Sequence, residues 1–116
     1  YMRDRKQFGQ PIGKFQAIQH MLADMATEIA ASRRLVYHAA WMIDQGIDCR
    51  QESSMAKLYA CETAKKAAAT GMQVLGGYGY MNDYEMQRYY RESALSTVYG
   101  GTSQLMRNII ARNLGL

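Results

Sequence analysis

Near the C-terminus, Tyr99-Gly100-Gly101-Thr102-Ser103-Gln104 gathers residue types that can handle negative charge. The glycine pair permits a tight turn with accessible backbone N–H groups, and Thr102 is a hydroxyl residue suited to cap a following helix. The N-terminal end of such a helix favours a phosphate or a developing oxyanion. Two other turns carry similar chemistry. Arg5 stands beside a loop from Phe8 to Gly13, and Gln73 precedes Gly76-Gly77-Tyr78-Gly79, whose freed N–H groups could face an anion. Together the three turns read as parts of one site for a phosphate-bearing ligand. Taken singly, they read as ordinary helix caps.

Other chemistries find little support. His20 and His38 are too far apart on one helix to form an i, i+4 metal pair, and no Glu-x-x-His pair exists for a di-iron bundle. No metal site is expected. Gly76-Gly77-Tyr78-Gly79 follows a helical segment rather than a strand, so a dinucleotide-binding or P-loop reading fails on context. The tyrosines Tyr78, Tyr80, Tyr84, Tyr89, Tyr90 and Tyr99 could stack on bases, but a bundle rim or subunit interface explains them more simply.

The elements that must position these turns are helical. The 116 residues form one domain, 48% hydrophobic with a single proline, Pro11. The net charge of +4 is spread among acidic residues, as on a solvated helical surface, and no nucleic-acid partner is expected. No apolar run reaches membrane-spanning length and no secretory leader is read. Cys49 and Cys61 lack metal or redox spacing, so a cytoplasmic or mitochondrial-matrix setting is expected. Tyr1 to Arg5 reads as the tail of a helix, and the chain as a piece of a longer one.

From Lys14 to about Gln45, apolar residues at Phe15, Ile18, Leu22, Met25, Ile29, Val36, Ala40 and Ile43 define one helix face, ended by Gly46. Asp48, with Gln51 three residues on, is placed to cap a second helix from about Cys49 to Leu75, alanine-rich at Ala64, Ala67, Ala68 and Ala69. Asn82 or Asp83 would cap a third helix through about Ser93, followed by a loop from Ala94 to Tyr99. A fourth runs from Gly101 or Thr102 to about Asn113, burying Leu105, Ile109 and Ile110. The expected fold is all-α, an antiparallel four-helix bundle.

Several segments carry a family resemblance. Arg5-Lys6-Gln7-Phe8-Gly9-Gln10-Pro11-Ile12 with Phe15-Gln16 resembles the R-x-x-F-G…F-Q stretch of the acyl-CoA dehydrogenases. Met55 to Ala60 resembles their second-helix segment, and Gln73 to Tyr80 matches their Q-x-x-G-G-x-G-Y turn. Arg88-Tyr89-Tyr90-Arg91 and Tyr99 to Gln104 follow in the same order, although Arg91-Glu92 replaces the usual Arg-Asp pair. The resemblance covers the chain from end to end and corresponds to the family's C-terminal helical-bundle domain. It implies FAD as cofactor. Arg5 and Phe8 would contact the pyrophosphate and adenosine part of an FAD in a neighbouring subunit, with Gln16, Gln73, Gly76 and Gly77 near the same group. Thr102 and Gln104 would hydrogen-bond FAD at the last helix start, and Tyr99 and Gly101 would border an acyl-CoA thioester. A homodimer or homotetramer, and an electron-transfer flavoprotein as redox partner, are further implications.

The reaction implied is α,β-dehydrogenation: a carboxylate takes the α-proton while the β-hydrogen leaves as hydride. Donors aimed at the thioester oxygen lower the barrier. Among the family's donors are a flavin ribityl hydroxyl and the backbone N–H at the position of Gly100. Many members carry the catalytic glutamate there, and glycine supplies no base. The favoured reading puts the base on a helix outside this sequence, as in isovaleryl and long-chain types. A related flavin oxidase or monooxygenase, or a non-catalytic assembly subunit, are the alternatives. Alone, the domain is expected to be inactive.

Overall fold

In the computed structural model, which describes residues 1–116, two long helices and three shorter ones follow a small N-terminal hairpin. Strands β1 (Lys6–Gln7) and β2 (Gln10–Pro11) pair antiparallel, Lys6 opposite Pro11. The helices are α1 (Gln16–Asp44), α2 (Arg50–Leu75), α3 (Gly77–Tyr80), α4 (Met86–Ser96) and α5 (Ser103–Asn113). The architecture is all-α apart from that hairpin, as the sequence led us to expect. None of the helices is long and apolar enough to cross a membrane.

Helix α2 is the hub, and α1, α4 and α5 each pack on it. Glu28 of α1 pairs with Lys66, and Leu35 meets Met55 and Leu58, so α1 and α2 run antiparallel. The alanine-rich stretch does what its small side chains permit. Ala64, Ala67 and Ala68 admit Met86, Tyr89 and Ser93 of α4. A Cβ on Gly71 would lie 2.7 Å from Met86 Cε, so glycine opens the seat for that methionine. On the other side, Arg107 of α5 reaches Glu62 at 3.5 Å.

Several boundaries differ from expectation. Tyr1 to Arg5 is one hydrogen-bonded turn rather than a helix tail, with Arg5 N–H donating to Tyr1 O at 2.8 Å. Gly46 ends α1 in the left-handed region as foreseen, at φ +69°. Asp48 accepts from Arg50 N–H at 3.2 Å, two residues on, but Cys49 occupies the cap position and the Gln51 capping box does not form. Neither Asn82 nor Asp83 caps α4; it starts after Glu85, because Tyr84 N–H closes a separate turn on Met81 O. That helix continues to Ser96 and takes half of the expected loop.

The core is thin: 10 of 116 residues are buried, and no large side chain is fully so. This corrects two faces. Along α1 the packed positions after Met25 are Glu28, Ser32, Leu35, Ala39 and Met42, while Ile29, Val36, Ala40 and Ile43 point outward. The helix is apolar on two sides, and the sequence spacing followed the wrong one in its second half. In α5, Ser103 and Met106 are the buried residues. Leu105 is 47% exposed, and Ile109 and Ile110 are half-buried.

Candidate functional site

Two of the three anion-suited turns meet. The hairpin and the end of α2 enclose an open cavity of about 510 Å³, lined by Arg5, Gln73, Gly76 and Gly77 together with Tyr1, Gln7, Ile12 and Tyr78. Tyr1 Oη donates to Leu75 O at 3.3 Å and its ring lies edge-on to Tyr78 and Tyr84. Arg5 is steadied over the Tyr78 ring at 5.5 Å, which leaves its guanidinium without a carboxylate partner and free to fork a phosphate.

The glycine pair divides its labour. Gly76 closes α2: its N–H donates to Met72 O and Gln73 O, so it is not the free donor the sequence promised. Its φ of +58° with ψ of −139° is a geometry that glycine alone adopts readily. Gly77 N–H makes no bond within the chain, and no atom lies within 4 Å of where its Cβ would be. A ligand can therefore approach that backbone closely.

Phe8 and Gln16 lie outside this cavity. Phe8 sits at the hairpin tip, 91% exposed, its ring edge-on to Phe15. It is the chain's non-glycine residue with positive φ, +51°, a strained setting for a bulky side chain. Strain together with exposure of an aromatic ring keeps Phe8 a candidate contact residue. Gln16 opens α1 and is exposed.

The third turn is remote. Lys57 stands beside Gly100, its Cε 3.6 Å from where a Cβ there would be, and Gln73 lines the cavity; along one helix at 1.5 Å per residue Lys57 and Gln73 are about 24 Å apart. Thr102 caps α5 as expected, its Oγ1 accepting from Leu105 N–H at 3.1 Å. Gly100 and Gly101 are both left-handed, at φ +61° and +96°, and their N–H groups are unbonded. Gln104 and Tyr99 are exposed, and buried Ser103 Oγ has no partner. The residue beside Gly100 is a lysine rather than an acid. Glu85 and Glu92 both serve Arg88, whose guanidinium is held above its ordinary pKa by Tyr89 and Glu85.

The sequence reading missed Tyr1, Gln7 and Ile12 as cavity residues. Only their nearness to Arg5 could have drawn attention to them. No three His, Cys, Asp or Glu side chains cluster as a metal would require. The residues fit the phosphate part of a ligand: an unpaired guanidinium, an amide and a free backbone donor stand round one open cavity.

Helices gathered on a central hub, with anion-suited turns at either end of that hub, define an all-α domain with two separate candidate ligand-binding ends. A family model described as "Acyl-CoA dehydrogenase, C-terminal domain" matches residues 1–115, and the chain belongs to that family. It is 46% identical over 114 residues to an acyl-CoA dehydrogenase of Bacillus subtilis, covering 98% of this chain and 30% of that protein. To a caffeyl-CoA reductase–Etf complex subunit of Acetobacterium woodii it is 45% identical, covering 96% and 29%. The solved FAD complex of PigA superposes with a TM-score of 0.96 at 33% identity, over 100% of this chain and 30% of that one. The chain thus spans about 30% of the length of the relatives it matches.

Proposed function

We propose that this domain serves an FAD-dependent enzyme that dehydrogenates acyl-CoA thioesters at the α and β carbons. Bound FAD supplies the hydride acceptor. Arg5, Gln73 and Gly77 suit its pyrophosphate, Gly76 shapes the turn that carries Gln73 and Gly77, Phe8 would contact the adenosine part, and Gln16 would lie near the same FAD. Thr102 and Gln104 hydrogen-bond FAD at the other end of α2, and Tyr99 and Gly101 border the thioester. Gly100 N–H is the donor for the thioester oxygen, where negative charge grows as the α-proton leaves.

One observation carries this reading. Gly100 offers a free N–H in a left-handed turn with a lysine, not a carboxylate, beside it. A donor without a base fits the branch whose glutamate comes from outside this sequence. The separation of the two ends supports the view that each serves a different FAD, Arg5 and Phe8 reaching that of a neighbouring subunit. A homodimer or homotetramer follows, and the exposed α1 residues Ile29, Val36, Tyr37, Trp41 and Ile43 suit burial in such an assembly. Electron-transfer flavoprotein is the redox partner.

The test uses the full-length protein with its flavin. Anaerobic addition of an acyl-CoA is expected to bleach the oxidised flavin absorption. No bleaching with any acyl-CoA defeats the reading. Fast reoxidation by air with release of peroxide points to an oxidase or monooxygenase, and purification without flavin to an assembly subunit.

A further inference from the structure

Lys57 stands on α2 directly against the Tyr99–Gly101 turn, half-buried and with no carboxylate partner; the chain's ion pairs use Lys66, Arg88 and Arg107. Removing an ammonium from water without a counter-ion is costly, so its surroundings must compensate. They do so through the turn itself. Lys57 Nζ donates to Ser96 O at 3.4 Å, at the last residue of α4, where the helix dipole presents its negative end. It lies 5.9 Å from the centroid of the Tyr99 ring, within cation–π range. Its Cε sits 3.6 Å from where a Cβ on Gly100 would be. Cys61 Sγ, at 3.9 Å, completes the surroundings.

The turn has few other ties. Two successive left-handed glycines have the widest backbone freedom of any residue pair. One backbone bond, Ser103 N–H to Thr97 O at 2.9 Å, spans them. Val98 and Tyr99 are 57% and 60% exposed, so packing restrains them little.

We propose that Lys57 is a positioning residue: its ammonium joins the end of α4 to the Tyr99 ring while its stem stands beside Gly100, and together they fix the direction in which Gly100 N–H points. The consequence for catalysis rests on the acyl-CoA reading above, whereas the ordering of the turn does not. The ammonium is engaged with Ser96 O and the Tyr99 ring, so the side chain acts through the backbone it holds.

The test compares Lys57→Met, which keeps the stem and removes the charge, with Lys57→Arg in the full-length, FAD-loaded protein. K57M is expected to lower kcat about 10- to 100-fold, as a misdirected donor would, with KM and flavin content within about threefold. K57R, whose guanidinium can still reach Ser96 O, is expected to recover all but about threefold of the loss. Independently of turnover, amide hydrogen exchange at Tyr99 and Ser103, whose N–H groups are bonded to Leu95 O and Thr97 O on either side of the glycines, is expected to quicken about tenfold in K57M while the centres of α1 and α2 stay protected. Unchanged exchange at the turn overturns the proposal, as does an equal rise in every helix or a K57R variant as impaired as K57M. Should K57M not fold, Tyr99→Leu removes the ring and keeps the ammonium; faster exchange at Ser103, whose N–H bond to Thr97 O spans the glycines, is expected, and no change there overturns the proposal. If wild-type protein dehydrogenates no acyl-CoA yet K57M loosens the turn, the acyl-CoA reading fails and the ordering role of Lys57 stands.

Discussion

The two ends of α2 use the same ingredients in opposite arrangements. At the hairpin end, a left-handed glycine, a free N–H and a cation face an open cavity, and Arg5 is aimed into it. At the α5 end, left-handed glycines with unbonded N–H groups stand in an open turn, but the neighbouring cation, Lys57, is half-buried and spent on the end of α4 and the Tyr99 ring. A forward cation suits a charge that is always present, such as a phosphate. A cation engaged by the turn's own surroundings suits a donor whose direction matters more than local net charge, as when charge appears only during a reaction. One end is built to hold, the other to aim.

The largest expected effect that would sharpen this contrast is at Arg5. In the full-length protein, Arg5→Ala is expected to weaken FAD binding about 100-fold, the loss of a charge-assisted phosphate contact worth roughly 2–3 kcal/mol. Flavin fluorescence on titration measures it, and an unaltered affinity would break the comparison at the holding end. Next in size are the glycines. Gly101→Ala must place a Cβ 2.7 Å from Met106 Cε at φ +96°, for an expected loss of about 1–3 kcal/mol in urea unfolding. Gly77→Ala meets nothing within 4 Å and is expected to stay within about 0.5 kcal/mol of wild type while weakening FAD, since it fills ligand space.

Smaller still is Phe8→Asn. Asparagine tolerates φ of +51° better than phenylalanine, so a gain of about 0.5–1 kcal/mol in stability is expected alongside weaker FAD binding. Greater stability with full FAD affinity would mean that the strained ring serves no ligand. The smallest effect belongs to the exposed Lys66–Glu28 pair, whose hydrogen bond raises the lysine pKa above 10.5. A raised lysine contributes its stabilisation below the unfolded pKa and loses it as pH climbs through the folded value. Lys66→Met is therefore expected to shift the melting midpoint slightly at pH 7 and not at all well above pH 10.5.

Much of this was legible in the residues. Gly46, Thr102 and the glycine pair at 76–77 marked helix ends because backbone geometry there admits few alternatives. The outward half of α1 was not, because Ile29, Val36 and Ile43 are as apolar as the packed Leu35 and Met42, and periodicity cannot say which apolar side meets α2. At the candidate site, Arg5 and Gln73 were identifiable by type and motif. Their meeting in one cavity was not, since it depends on the hairpin folding back over the end of α2. Lys57 was visible in the Met55–Ala60 segment without a role, because its partners lie on α4 and in the turn.

Helix α2 runs unbroken for 26 residues between the two ends. Substitutions along it change packing, but an inserted or deleted residue turns one end about 100° relative to the other and shifts it about 1.5 Å. The chain can therefore drift in composition along α2 and vary in length at the α1–α2 connection. Between Lys57 and Gln73, length itself is under constraint, and the helix works as a gauge bar.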